Sequence, residues 1–130
     1  MNRVYLDHNA TTPLRPDARA AMLAAMEVTG NPSSVHAEGR AARSVVERAR
    51  AQIAAAIDAE VSEIVFTSSA TEAAALACAG RSLRCAGIEH DAVLCWCDAA
   101  WSCDSAGAVE IGVPSDSCLQ LANSETGILQ

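Results

Sequence analysis

The order of apolar and polar residues predicts an alternation of helices and strands. Residues 2–16 read as an extended arm, because Pro13 and Pro16 prevent an early helix. Asp17 is placed to cap a helix running to about Val28, with Ala21, Met22, Ala25 and Met26 as its apolar stripe. The stretch TGNPSS, 29–34, is a loop by its Gly, Asn-Pro and Ser content. Val45, Ala49, Ile53 and Ala56 then recur at helical spacing from about Ala37 to Ile57, with Arg43 and Glu47 paired on the wet side.

Beyond residue 60 the period shortens. EIVFT, 63–67, predicts a strand, and ATEAAALACAGRSL, 70–83, a helix of good formers. A short extended piece follows at 84–89, then a helix from about 91 to 100. AVEIGVP, 108–114, and SCLQLA, 117–122, predict two further strands, and NSETG, 123–127, a loop. The order α–α–β–α–β–α–β–β predicts an α/β layer with a partly parallel sheet, in one domain of 130 residues: an arm, 1–16, and a body, 17–130.

Composition changes this picture in two ways. Apolar residues make up 51% of the chain but aromatics only 3%, so an alanine-dominated core buries little area per residue. Such a chain is expected to draw stability from a second copy or another partner. The net charge of −7 excludes nucleic acid as the main partner. Seven Arg stand against five acids in residues 1–50, and two against eleven in 51–130. All nine basic residues are arginine; there is no lysine. No apolar run reaches membrane-spanning length, and MNRVYLDHNATTP lacks the apolar segment of an export signal. The expectation is a soluble cytoplasmic protein, without membrane association, whose six cysteines are reduced thiols.

Three constellations carry candidate chemistry. At Ser68-Ser69-Ala70-Thr71 a strand passes directly into a helix start, whose free N–H groups, with the Thr71 hydroxyl, suit a phosphate. The alternative is an ordinary cap, Ser69 with Glu72 three residues on completing a capping box. His90, between Glu89 and Asp91, is placed to stack on a ring or move a proton, or else to sit half-exposed on the surface. His8 and His36 sit in loops without metal spacing. Cys95-Trp96-Cys97 with Cys103 lacks the paired C-x2-C of a zinc site, and on a helix Cys95 and Cys97 would project about 200° apart. No structural metal is expected from this spacing.

Taken in order, VYLDHNATTPLRPDARAAM, GNPSSVHAEGRAAR, EIVFTSSATEAAALA, IEHDAVL and LANSETGILQ resemble the N-terminal part of the cysteine desulfurases, class-V aminotransferases that use pyridoxal phosphate. The resemblance covers most of residues 4–130. It implies a three-layer, mostly parallel sheet, part of the large domain of a fold-type I enzyme that is usually a homodimer. It also implies that Ala70 and Thr71 hold the cofactor phosphate, and that His90 stacks on the ring and assists proton transfer. Ser124 stands at the position that contacts the ring's phenolic oxygen.

The departures are specific. Ser69 replaces a glycine at the phosphate turn, Ala73–Ala75 replace a more polar run, and Ser124 replaces an asparagine. The longer segment with a helix that the family would have between Val113 and Ser117 is missing from this sequence. The family's cofactor lysine, its sulfur-accepting cysteine and its small domain are expected beyond Gln130. These points imply a truncated or split desulfurase: inactive alone, binding the cofactor at most weakly and without a covalent bond, and completed by a C-terminal chain. Two other readings stand beside it: a non-catalytic interaction partner of an intact desulfurase, and a small thiol or metal module built on Cys95, Cys97, Cys103 and Cys118.

Overall fold

The computed structural model describes residues 3–130. The chain divides into two compact units, Met1–Val65 and Phe66–Gln130. The division falls inside the stretch where the sequence predicts a strand, and that strand does not form. Val61–Glu63 is instead a 3-10 turn whose Glu63 carboxylate accepts the Glu60 N–H at 2.7 Å. The Ile64 carbonyl receives the Arg50 guanidinium rather than a neighbouring strand's N–H. Without a paired strand, β-forming residues stay merely extended, and Val65 and Phe66 are exposed.

The first unit carries α1, Pro16–Met26, and α2, Ala37–Ala56. Helix α1 begins one residue before the expected cap. Pro16 takes the first helical position, where its fixed φ fits and its missing N–H costs nothing, and Asp17 lies in the first turn. No residue of α1 is buried, and Met22 and Met26 of its apolar stripe are exposed. Residues of both helices line an open groove of about 430 Å³. Helix α2 is capped by His36, whose Nδ1 accepts the Gly39 N–H at 3.4 Å. Gly39 is required there, because a Cβ at that position would run into the Ser34 backbone carbonyl.

The second unit holds α3, Ala70–Cys78, β1, Arg84–Ala86, α4, Asp91–Leu94, and β2, Asp98–Trp101. Strands β1 and β2 pair in parallel, with Cys85 opposite Ala99, and helix α3 packs on α4. Helix α3 ends before the expected residue 83, because Gly80 at φ +73 turns the chain out of the helical region. The helix expected to reach residue 100 stops at Leu94, and its last residues become β2. Of the two strands expected at 108–114 and 117–122, isolated bridges remain. These join Cys103 to Val109, Arg84 to Ser117 and Ala122 to Leu129. Among the described residues the chain is therefore a mixed α/β structure with a small two-stranded parallel sheet.

Small residues fill the interior of this unit. Cys78, Cys85 and Ala86 are its buried apolar side chains, and the buried polar ones are Glu89 and Asn123. Among the described residues, no helix is long and apolar enough to cross a membrane.

Candidate functional site

At the start of α3 the Ser69 hydroxyl accepts the Glu72 N–H at 3.3 Å, as a cap should. Glu72 does not close the expected capping box on Ser69. Its Oε2 accepts the Ser68 N–H at 2.6 Å and the Ser68 hydroxyl at 2.7 Å. These two bonds, the backbone one first, hold the Glu72 carboxyl below the usual carboxylate range. The N–H groups of Ala70 and Thr71 open the helix and have no acceptor within it.

A folded-state pKa below the unfolded one stabilises the turn above the ordinary carboxylate range, and this is lost as pH falls through the lowered value. The Ser68 and Ser69 amide resonances should therefore move together with the acid titration of Glu72. Glu72→Gln should abolish that movement. A Ser68 amide that stays still through the acid range would show that the pair does not form in solution.

His90 is the N-cap of α4, and its Nδ1 accepts the Ala92 N–H at 3.1 Å. That bond assigns the proton of the neutral ring to Nε2. The ring borders a cleft of about 370 Å³ lined by Gly87, Glu89, His90, Asp91, Leu94 and Glu125. Three carboxylates and no cation line it. Glu125 of the 123–127 loop lines the same cleft as His90, while Ala70 and Thr71 are not part of it.

The loop itself is built on Asn123, a role the sequence reading missed. Its Nδ2 donates to the Ile88 carbonyl at 2.9 Å. Its Oδ1 accepts the N–H of Glu125 at 2.9 Å, the N–H of Thr126 at 3.0 Å and the Thr126 hydroxyl at 3.2 Å. Ser124, the position with an implied cofactor contact, donates its N–H to the Gln120 side chain at 2.9 Å. Gln120 in turn gives its own N–H to the buried Glu89 carboxylate at 2.9 Å. The turn between β1 and His90 and the 123–127 loop are thereby tied together by side chains.

The cysteines divide differently from the sequence expectation. Cys95 and Cys103 are exposed, whereas Cys78, Cys97 and Cys118 gather with all three sulfurs within 4.8 Å of one another. Cys85 is buried on β1, and the Cys78 and Cys118 sulfurs lie 3.9 Å apart. Burial, then the neighbouring Cys78, pushes the Cys97 thiol up to about 12. Burial and the Cys78 hydrogen bond push Cys118 up to about 11. Cys78 has no neighbouring cysteine in sequence, so spacing alone gave no sign of it.

With this geometry in view, comparisons with known proteins are specific. The aminotransferase class-V family matches residues 4–127. A cysteine desulfurase of Frankia sp. is 47% identical over 113 residues, covering 79% of this chain and 27% of that protein. A putative cysteine desulfurase IscS 1 of Bacillus subtilis is 44% identical over 108 residues, covering 75% of this chain and 28% of that protein. Cysteine desulfurase 2 of Trichormus variabilis is 36% identical over 155 positions, covering 99% of this chain and 39% of that protein, so gaps stand opposite this chain's 130 residues. The chain spans little more than a quarter of the length of the first two relatives. No solved structure matches it. Motifs in family order, a match over nearly the whole chain and relatives approaching half identity agree: the chain belongs to the class-V aminotransferases.

Proposed function

We propose that this chain is a cysteine desulfurase-like component that supplies the phosphate-turn side of a sulfur-transfer site and has no desulfurase activity by itself. The observation that carries the proposal is the absence of lysine from all 130 residues of a chain whose relatives are cysteine desulfurases. The family implies pyridoxal phosphate, a cofactor that supplies an electron sink when bound.

The residues present fit only one end of that group. The Ala70 and Thr71 N–H groups and the Thr71 hydroxyl are a suitable donor set for a phosphate. No lysine side chain is present to bond the aldehyde. The cleft beside His90, lined by Glu89, Asp91 and Glu125, opposes an anionic molecule. As a whole the set does not fit the cofactor, and no chemical step follows from this chain alone. What its own residues do is hold the turn through Ser68 and Glu72, and fix His90 at the head of α4. A second chain that bears the lysine and a sulfur-accepting cysteine completes the reading.

With L-cysteine and pyridoxal phosphate, the purified chain should release sulfide no faster than the free cofactor does. Adding a chain that carries the family's lysine and cysteine should raise the rate above that background. Sulfide release by this chain alone, above the free-cofactor rate, would sink the proposal.

A further inference from the structure

We propose that Cys78, Cys97 and Cys118 form a binding site for a thiophilic closed-shell metal ion, zinc(II) or copper(I). The three sulfurs come from separate places in the fold. Cys78 ends α3, Cys97 lies in the turn between α4 and β2, and Cys118 follows the 3-10 turn Pro114–Asp116. Cys118 is anchored by its N–H, which donates to the Arg84 carbonyl of β1 at 2.8 Å.

The spacing suits a single ion. Metal–sulfur bonds of about 2.3 Å put neighbouring sulfurs about 3.8 Å apart in a tetrahedron and about 4.0 Å apart in a trigonal plane. Cys78 and Cys118 already stand 3.9 Å apart, and the whole trio lies within 4.8 Å. Closing around an ion therefore needs movements of under about 1 Å, which thiol rotation and small backbone shifts supply. A set made only of sulfur selects soft cations over magnesium or calcium.

Two further observations point the same way. The buried Glu89 carboxylate places negative charge close enough to act on both Cys85 and Cys118, so a cation there is electrostatically favoured. This unit also buries almost no large apolar side chain, its interior being Cys78, Cys85 and Ala86. Small units without an apolar core are commonly held by a metal, and an ion here would tie three separate segments together. Binding is redox-neutral. Each ligating S–H gives its proton to solvent, and the sulfur electron pair forms the metal bond.

The test uses the reduced 130-residue chain under anaerobic conditions. Cobalt(II) should give a thiolate charge-transfer band that saturates at one ion per chain and is bleached by zinc(II). A separate titration with copper(I) should likewise saturate at one ion per chain. Alkylation followed by mass mapping of the zinc-loaded chain should protect Cys78, Cys97 and Cys118 and modify Cys95 and Cys103. Cys97→Ser or Cys118→Ser should weaken binding by more than the roughly 10–100-fold that loss of an outer-shell partner costs. The double variant Cys95→Ser with Cys103→Ser should bind as the parent does. The proposal is overturned if neither cobalt(II) nor copper(I) saturates at one ion, or if protection falls on Cys95 and Cys103. Both readings use the unaltered chain, so they hold even where a variant fails to fold.

Discussion

Asn123→Ala should destabilise the Phe66–Gln130 unit by about 3 kcal/mol, enough to remove a cooperative melting transition from a unit with so little apolar burial. Asn123 is 2% exposed and its side chain makes four hydrogen bonds. Alanine would leave the Ile88 carbonyl, the Glu125 and Thr126 N–H groups and the Thr126 hydroxyl without that partner. A typical bond contributes about 1 kcal/mol net, and a buried group left unsatisfied costs about 1–3 kcal/mol. Water reaching the more exposed loop residues keeps the total nearer the lower bound. Ser124→Ala provides the contrast. Its hydroxyl meets Gln120 only at 3.3 Å and Glu125 at 3.5 Å, so its loss should cost less than about 1 kcal/mol. Urea denaturation followed by far-ultraviolet circular dichroism checks both. Equal losses would mean that Asn123 does not organise the loop.

That contrast bears on what the sequence can convey. The family resemblance directed attention to Ser124, because cofactor contacts are carried by motif positions. Asn123 escaped because the bond that anchors its loop goes to Ile88, which is distant in sequence and becomes a neighbour only after folding. Helix α2 was legible almost to its ends, since one stripe of apolar residues and a long run of good helix formers point to the same element. The start of α3 was legible for a local reason too: Ser69 caps it from the adjacent position.

Apart from the end of α3, which Gly80 sets locally, the features that were misread depend on long-range pairing. EIVFT has the composition of a strand, but a strand exists only beside another, and Ile64 meets the Arg50 side chain instead. The residues DAAW carry little intrinsic preference, and become β2 because β1 lies parallel to them. The thiol cluster is the extreme case. The visible C-x-C contributes one member, Cys97, while Cys78 and Cys118 arrive from either side of it in the chain.

At low micromolar concentration the purified chain should scatter light as a species heavier than its 13.5 kDa monomer. Its accessible surface is 9862 Å². Two entirely separate compact globules of half its mass would together expose only about 7,900 Å². The excess therefore does not depend on how the two units are arranged. Much of it is apolar: Leu6 is 82% exposed, Met26 71%, Leu76 63%, Leu121 71% and Leu129 76%. Apolar area left in water at this scale favours association, at roughly 25 cal/mol for each Å² that a partner covers. The two-stranded sheet adds to the argument, because so small a sheet has little stability of its own. A second copy or the lysine-bearing chain would each cover such surface. Adding the lysine-bearing chain should therefore shift the scattering mass to that of a mixed complex. A cooperatively folding monomer that ignores that chain would remove the physical basis for a shared sulfur-transfer site.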